Sequence, residues 1–342
     1  LVIVHAPTKV EIRRRLLDDR PLIIGREPGD GLALPDPEAS RRHAEVAHDR
    51  ARGVWTITDL GSRNGLFVDG VATARAELVD GSVVRIGGSL LVFVAVELAA
   101  DAPLDGDDPS LQGASIRMQL VRGQLALIAP QRLPVLLLGP TGTGKERAAR
   151  ALHARSGRAG PLITVNCAAI PPSVAESELF GHVAGAFTGA TAQRDGLFVA
   201  AHRGTLFLDE IGELPRELQP KLLRALALGE IRPVGAAAAR TVDVRIVAAT
   251  LVDLGQAVAA GEFRGDLFAR LAGWTVSLPP LRARRDDVPL LASALLAELA
   301  PDRQLTPGAV EALLIHDWPY NVRELEHALA VAATMAVAEL AP

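Results

Sequence analysis

The stretch Gly139-Pro140-Thr141-Gly142-Thr143-Gly144-Lys145, directly after Val135-Leu136-Leu137-Leu138, constrains this chain more than any other. The apolar run reads as a strand and Glu146–Leu152 as a helix, so a glycine-rich loop joins strand to helix. Glycines in that place let the backbone wrap a polyphosphate with its N–H groups. The helix N-terminus adds positive potential, and Lys145 supplies a point charge for the outer phosphates. Glu146 stands where Ser or Thr would hold a divalent cation, so the cation needs a carboxylate from elsewhere.

That carboxylate is offered where Thr205-Leu206-Phe207-Leu208 closes on Asp209-Glu210. The pair suits magnesium-bound water at Asp209 and polarisation of the attacking water by Glu210. With Leu162-Ile163-Thr164-Val165-Asn166 and Val244-Arg245-Ile246-Val247-Ala248-Ala249-Thr250, strands alternate with helical stretches, as in a parallel α/β sheet. Pro220 interrupts an otherwise helical stretch, which predicts a kink or a delayed start.

The first hundred residues read differently. Leu22–Ile24, Ala44–Val46, Val54–Ile57, Leu66–Val68, Val83–Ile86 and Leu90–Val94 are short strands between Gly, Pro, Asp and Asn, which predicts an antiparallel β-sandwich. Residues 99–111 are acidic and contain proline, and read as a linker. Ser115–Ala129 is an amphipathic entry helix. With 342 residues, two or three domains are expected. A net charge of −4 gives no whole-chain argument for nucleic-acid binding. The single cysteine, Cys167, excludes an internal disulfide and suits a reducing cytoplasm, and no run suggests a membrane span or a signal peptide. The chain lacks a starting Met, which leaves open that it is a fragment.

Gly25-Arg26, Ser40-Arg41-Arg42-His43 and Gly61-Ser62-Arg63-Asn64-Gly65 together resemble the forkhead-associated (FHA) domain. The resemblance implies phosphothreonine binding, with Arg26 and Ser40 on the phosphate, Arg41 and Arg63 as nearby donors, Asn64 on the peptide backbone and His43 bracing the loops. A guanidinium and a hydroxyl suit a dianionic phosphate better than a carboxylate. Leu66 and Asp69 depart from the family's usual Thr and Asn, and Asp69 is expected to repel a phosphopeptide or alter its selectivity.

From about residue 112, Val165–Ala169, Gly185-Ala186-Phe187-Thr188-Gly189-Ala190, the run Thr205–Glu210, Leu278–Arg282 and Trp318–Leu325 resemble the AAA+ domain of sigma-54-dependent transcription activators. The implied architecture is multidomain: an all-β FHA sandwich (1–98), a linker (99–111), an α/β P-loop ATPase subdomain (112–281) and a helical lid (282–342). The resemblance implies ATP and Mg2+ as cofactors, with the phosphate loop through Glu146 holding nucleotide and Asp209 and Glu210 serving metal and water. Asn166 would be the switch partner of Glu210, with Thr250 in the same catalytic set. Arg264 and Arg270 would be arginine fingers reaching a neighbouring subunit, Arg323 a lid sensor, and residues 185–190 the sigma-54 contact. Expected partners are sigma-54 RNA polymerase, a phosphothreonine protein and further copies in a hexameric ring, with no membrane. DNA is expected only if a helix-turn-helix lies beyond Pro342. Leu251 replaces a usual Asn, Gly265 a usual Glu, Tyr320 a usual Gly and Val199 a common Glu, which puts hydrolysis rate and coupling in question rather than nucleotide binding. The alternative is a phosphopeptide-binding adaptor whose AAA+ part hydrolyses ATP poorly.

Overall fold

The computed structural model describes all residues except Thr8, Ala100, Gly106, Asp107, Pro109 and 339–342, with backbone alone for 336–338. Eleven strands come first: β1 (Val2–Ala6), β2 (Lys9–Arg14), β3 (Leu22–Gly25), β4 (Leu32–Ala33), β5 (Ala44–Asp49), β6 (Val54–Asp59), β7 (Leu66–Val68), β8 (Val71–Thr73), β9 (Arg75–Leu78), β10 (Val83–Ile86) and β11 (Ser89–Val92). The α/β segment follows with α1 (Ile116–Ile128), β12 (Val135–Leu138), α2 (Lys145–Ala154), β13 (Leu162–Asn166), α3 (Pro172–Phe180), α4 (Leu197–Ala200), β14 (Thr205–Asp209) and α5 (Gln219–Leu228). It continues with β15 (Glu230–Ile231), β16 (Arg240–Thr241), β17 (Arg245–Thr250), α6 (Leu254–Ala259), α7 (Gly265–Leu271) and β18 (Trp274–Ser277). Last come a 3-10 segment (Leu281–Asp287), α8 (Val288–Leu299), α9 (Pro307–Ile315) and α10 (Asn321–Ala338).

The chain divides into two compact units, one of residues 1–102, 112–119 and 279–342, the other of 103–111 and 120–278. In the first unit, a six-stranded sheet ordered β2-β1-β11-β10-β7-β8 faces a five-stranded sheet ordered β4-β3-β5-β6-β9. The pairing is antiparallel except for the two-residue β3–β4 match. Ile24, Val46 and Ile57 from one sheet meet Ile3, Val84 and Leu91 from the other in a buried core. The same unit carries the lid helices α8, α9 and α10. The last of these starts at Asn321, whose Oδ1 accepts from Leu281 N–H at 2.7 Å.

In the second unit five parallel strands lie in the order β13-β14-β17-β12-β18. Strands β12 and β17 are central and almost wholly buried, which is why their sequences are continuous apolar runs rather than alternating ones. Phe180 and Phe198 stack over this core with centroids 5.4 Å apart. Proline 220 lies in the first turn of α5, so the helix starts late and is not kinked.

The acidic segment expected to be a linker is not a free spacer. Arg122 is buried and donates to the backbone oxygens of Asp105 (3.1 Å) and Leu111 (3.0 Å). Arg155 reaches the carboxylates of Asp105 (2.8 Å) and Asp108 (3.1 Å). Arg122 thus holds the backbone of the segment, and Arg155 takes two of its carboxylates. Gly106, Asp107 and Pro109, part of the same expectation, lie outside the described residues.

Candidate functional site: a phosphate loop and a loop cluster

In a parallel sheet, loops leaving the C-terminal ends of the strands converge on one edge, where ligands bind. Here β12 delivers the glycine loop, β14 delivers Asp209 and Glu210, and β17, paired to both, ends in Thr250 between them. Gly144 precedes α2 with φ +103°, a conformation an L side chain rarely adopts. Among the described residues, the N–H groups of Gly142 and Gly144 make no backbone hydrogen bond, which leaves them free for an anion.

Lys145 is buried, and its ammonium donates to the carbonyls of Gly139 (2.8 Å) and Pro140 (3.3 Å). Its Nζ lies 3.9 Å from Glu210 Oε1. Glu210 has φ +50° although it is not glycine, strain of a kind that collects at working sites. Its Oε2 accepts from Leu251 N–H at 3.4 Å, while Asp209 Oδ1 accepts from Glu210 N–H at 3.1 Å. Asn166 sits in register with Asp209 on the neighbouring strand. Its Oδ1 is taken by Ala168 N–H at 2.9 Å, so here the amide caps a 3-10 turn and Leu251 holds Glu210. Thr250 is buried, and its Oγ1 accepts from Val252 N–H.

Glu146 turns along α2 to Arg150, at 2.6 Å, away from a metal role. Among the described residues no three carboxylate, His or Cys side chains could jointly hold a metal. Asp209, at the end of β14, would be the carboxylate for a magnesium carried in on a polyphosphate. Cys167 adjoins this site, but burial pushes its thiol up to about 12, aided by the Asp209 and Glu210 charges, so it stays protonated.

Arg264 is the N-cap of α7 and Arg270 lies in its last turn, both exposed. The Arg264 guanidinium forms a two-bond fork to Asp266 at 3.0 and 2.7 Å, which raises its pKa and lowers that of Asp266. Arg270 reaches Leu226 O at 3.5 Å. Sequence reasoning missed Gln219, which positions this segment: wholly buried, it accepts from Arg264 N–H at 2.9 Å and donates to Leu214 O and Glu262 O. Its polar type next to Pro220 was the available signal. Arg323 lies on α10, in the first unit.

The Gly185–Ala190 loop is closed by Gly185 N–H to Ala190 O at 2.8 Å and Ala190 N–H to Phe187 O at 3.0 Å. Thr188 and Phe187 are exposed at its tip, Phe187 to 46%. The Phe187 ring stands edge-on to His182, which bridges to Arg194 and Val234 and anchors the base.

At one end of the sandwich the three polar loops meet. Gly25 is required there, since a Cβ would fall 2.4 Å from Arg41 O. His43, fully buried, accepts from Ser40 N–H at Nδ1 (3.1 Å), which leaves Nε2 to donate to Gly65 O (3.1 Å). Ser40 Oγ accepts from Arg63 N–H, and Asn64 Nδ2 donates to Glu38 O. The backbones of Arg26 and Arg63 bond to Ser40, Arg41 follows it in the chain, and all three side chains are exposed, with Arg26 Nε 3.9 Å from Glu27 Oε1. Asp69 is elsewhere. It follows β7, at the opposite end from Gly65, and its carboxylate accepts from Val83 N–H at 2.9 Å. The Asp69 carboxylate is thus engaged at the far end of β7 from the polar loops.

A strand–glycine loop–helix with paired acids, and a sandwich with a basic loop cluster, define the class: a P-loop ATPase fold of AAA+ type joined to a phosphopeptide-recognition fold. Residues 111–277 match the Sigma-54 interaction domain, 22–87 the FHA domain and 282–341 the AAA+ ATPase lid domain. The chain thus carries a sigma-54 interaction domain with its AAA+ lid, preceded by an FHA domain. The anaerobic nitric oxide reductase transcription regulator NorR of Aeromonas hydrophila is 42% identical over 333 residues, covering 92% of this chain and 64% of the relative. NorR of Salmonella paratyphi C is 52% identical over 330 residues, covering 91% and 64%. The chain thus spans about two-thirds of the length of these relatives. Crystal structures of NtrX from Brucella abortus are similar: the ADP complex has a TM-score of 0.62 at 38% identity over 66% of this chain and 51% of that one. The ATP complex has a TM-score of 0.61 at 39% identity, covering 66% and 53%. Among the described residues, no helix is long and apolar enough to cross a membrane.

Proposed function

We propose that the chain is an ATP-hydrolysing activator of sigma-54 RNA polymerase, gated by phosphothreonine peptides at its FHA domain and working as a cytoplasmic ring, a hexamer by analogy with its class. The observation that carries the reading is the approach of Lys145 to Glu210, 3.9 Å apart at one edge of the sheet. In the proposed mechanism the Gly142 and Gly144 N–H groups and Lys145 bind the phosphates, Asp209 steadies magnesium through water, and Glu210 polarises the attacking water. Thr250 supports the acids between them. Arg264 and Arg270 act on the neighbour's nucleotide, Arg323 reports it to the lid, and Phe187 and Thr188 touch sigma-54. The NtrX complexes with ADP and ATP support nucleotide binding. Domain limits at 98, 111 and 281 suit this division, and DNA contact would need a helix-turn-helix beyond Pro342. The phosphopeptide role rests on exposed Arg26, Arg41 and Arg63 around Ser40, with Asn64 beside them.

ATP turnover per subunit measured against protein concentration tests the reading, with Glu210→Ala as control. A cooperative rise that vanishes in the control supports shared active sites. Binding without turnover at any concentration favours the second reading, a phosphopeptide-binding adaptor. Leu251 favours that one: 56% exposed, it offers Glu210 only a backbone N–H where a polar sensor side chain is usual.

A further inference from the structure

The six-stranded sheet of the sandwich is apolar on both faces. Leu1, Ile3, Val84, Leu91 and Phe93 point into the sandwich, whereas Val2, Val4, Val83, Leu90 and Val92 form part of a second cluster. An antiparallel sheet with one face in water alternates apolar with polar residues. Here the outer five are at most 4% exposed. They are covered by the lid: Val288 and Leu291 of α8, Val310 and Leu314 of α9, and Trp318 complete the same cluster. Polar bonds fix the register. Arg85 Nε donates to Glu311 Oε1 at 3.0 Å, and Arg285 donates to Gly81 O at 3.1 Å. Arg117, in the first turn of α1, joins both partners, reaching Asp80 (2.7 Å) and Ala95 O on the sandwich and Ala283 O (2.6 Å) on the lid.

A continuous set of contacts runs from the three polar loops of the sandwich to this interface. His43 holds Gly65 O, where β7 begins. Phe67 of β7 pairs with Arg85 of β10, whose guanidinium sits 3.6 Å from the Phe67 ring centre and then meets Glu311 on α9. Separating sandwich from lid would expose two matching aliphatic surfaces to water, an arrangement soluble proteins avoid.

We propose that the sandwich is a fixed extension of the lid, so that phosphothreonine capture regulates the ATPase through one sandwich–lid body and not by release of a tethered module. The regulatory half rests on the proposed readings of the two sites, whereas the permanence of the body does not. A ligand can bias a motor only by binding its states unequally, and a rigid body that ends in the lid gives the peptide loops that purchase.

The test uses the full chain with Arg85→Cys and Glu311→Cys joined by a short bis-maleimide. The wild type, whose Cys167 is buried, controls for background. A second pair, Asp80→Cys with Ala283→Cys, probes the same interface without touching the Arg85–Glu311 bond. Near-complete cross-linking is expected with or without ATP and phosphothreonine peptide. The locked protein should keep the peptide's effect on ATP turnover within about twofold of the unlocked one. Cross-linking that falls several-fold on adding peptide or ATP would overturn the proposal. So would a locked protein that binds peptide but no longer responds. A chain that binds no phosphopeptide at all defeats the phosphothreonine reading instead, and the cross-linking yield still decides whether the body is permanent.

Discussion

The Lys145 ammonium lies 3.9 Å from the Glu210 carboxylate, one buried and the other half-buried, at the ends of strands separated by β17. Opposite charges at that range across a partly dry edge form a pair that a polyphosphate and its cation would open, since both side chains then have stronger partners. The two roles are separable by substitution. Lys145→Ala should abolish nucleotide binding in a calorimetric titration. Glu210→Gln should bind ATP normally and lose roughly 10²–10⁴-fold in turnover, the usual range for a missing general base. Normal turnover by Glu210→Gln would remove Glu210 from the mechanism.

The Arg26 guanidinium projects from a backbone held by Ser40 O at 3.0 Å, so its removal should leave the loops in place. Arg26→Ala should weaken binding of a phosphothreonine peptide by about 10- to 100-fold, the worth of one or two charge-assisted hydrogen bonds. A glutamate-substituted peptide should bind neither form. Equal affinity of the two forms, read by fluorescence anisotropy, would place the phosphate elsewhere.

Phe187 is exposed, and its loop is closed by backbone bonds that its side chain does not make. Phe187→Ala should therefore keep ATP turnover within about twofold and lose sigma-54 capture in a pull-down. Retained capture would sink the contact role of this loop.

Asp286 is buried in the lid with Oδ1 unpartnered. Burial raises its carboxyl to about 7, Asp287 beside it adds to the effect, and Arg14 and Arg117 oppose it. The folded state thus holds a proton that the unfolded chain has released above about pH 4. Stability should fall as pH rises from about 4 to 7, by no more than about 4 kcal/mol. Asp286→Asn should flatten that slope and raise Tm at pH 8, and an unchanged profile would show that Asp286 ionises normally.

The stacked pair Phe180 and Phe198 closes the core of the α/β unit. Phe198→Ala should cost about 3–5 kcal/mol in denaturant unfolding, from lost burial and the cavity left behind. A cost below about 1 kcal/mol would mean that the core collapses around the gap.

Features that depend on contiguous residues are readable from the chain alone. The phosphate loop needs its glycines and Lys145 in one run, the acids need one strand end, and the three polar loops carry their chemistry in short motifs. Local chain geometry makes these legible, because each is a turn or a strand terminus with a restricted set of residue types. What each surface touches emerges only from the three-dimensional packing. The run Leu1–Val4 is apolar throughout, and nothing local says that Val2 and Val4 would meet the lid helices while Leu1 and Ile3 fill the sandwich. The acidic segment after residue 99 had a linker's composition, yet Arg122 and Arg155 claimed it. The Asn166 and Leu251 contacts to their neighbours were likewise set by strand order. Burial of apolar surface is non-directional and charges pair with whatever the fold brings near, so the identity of a partner is a property of the whole chain.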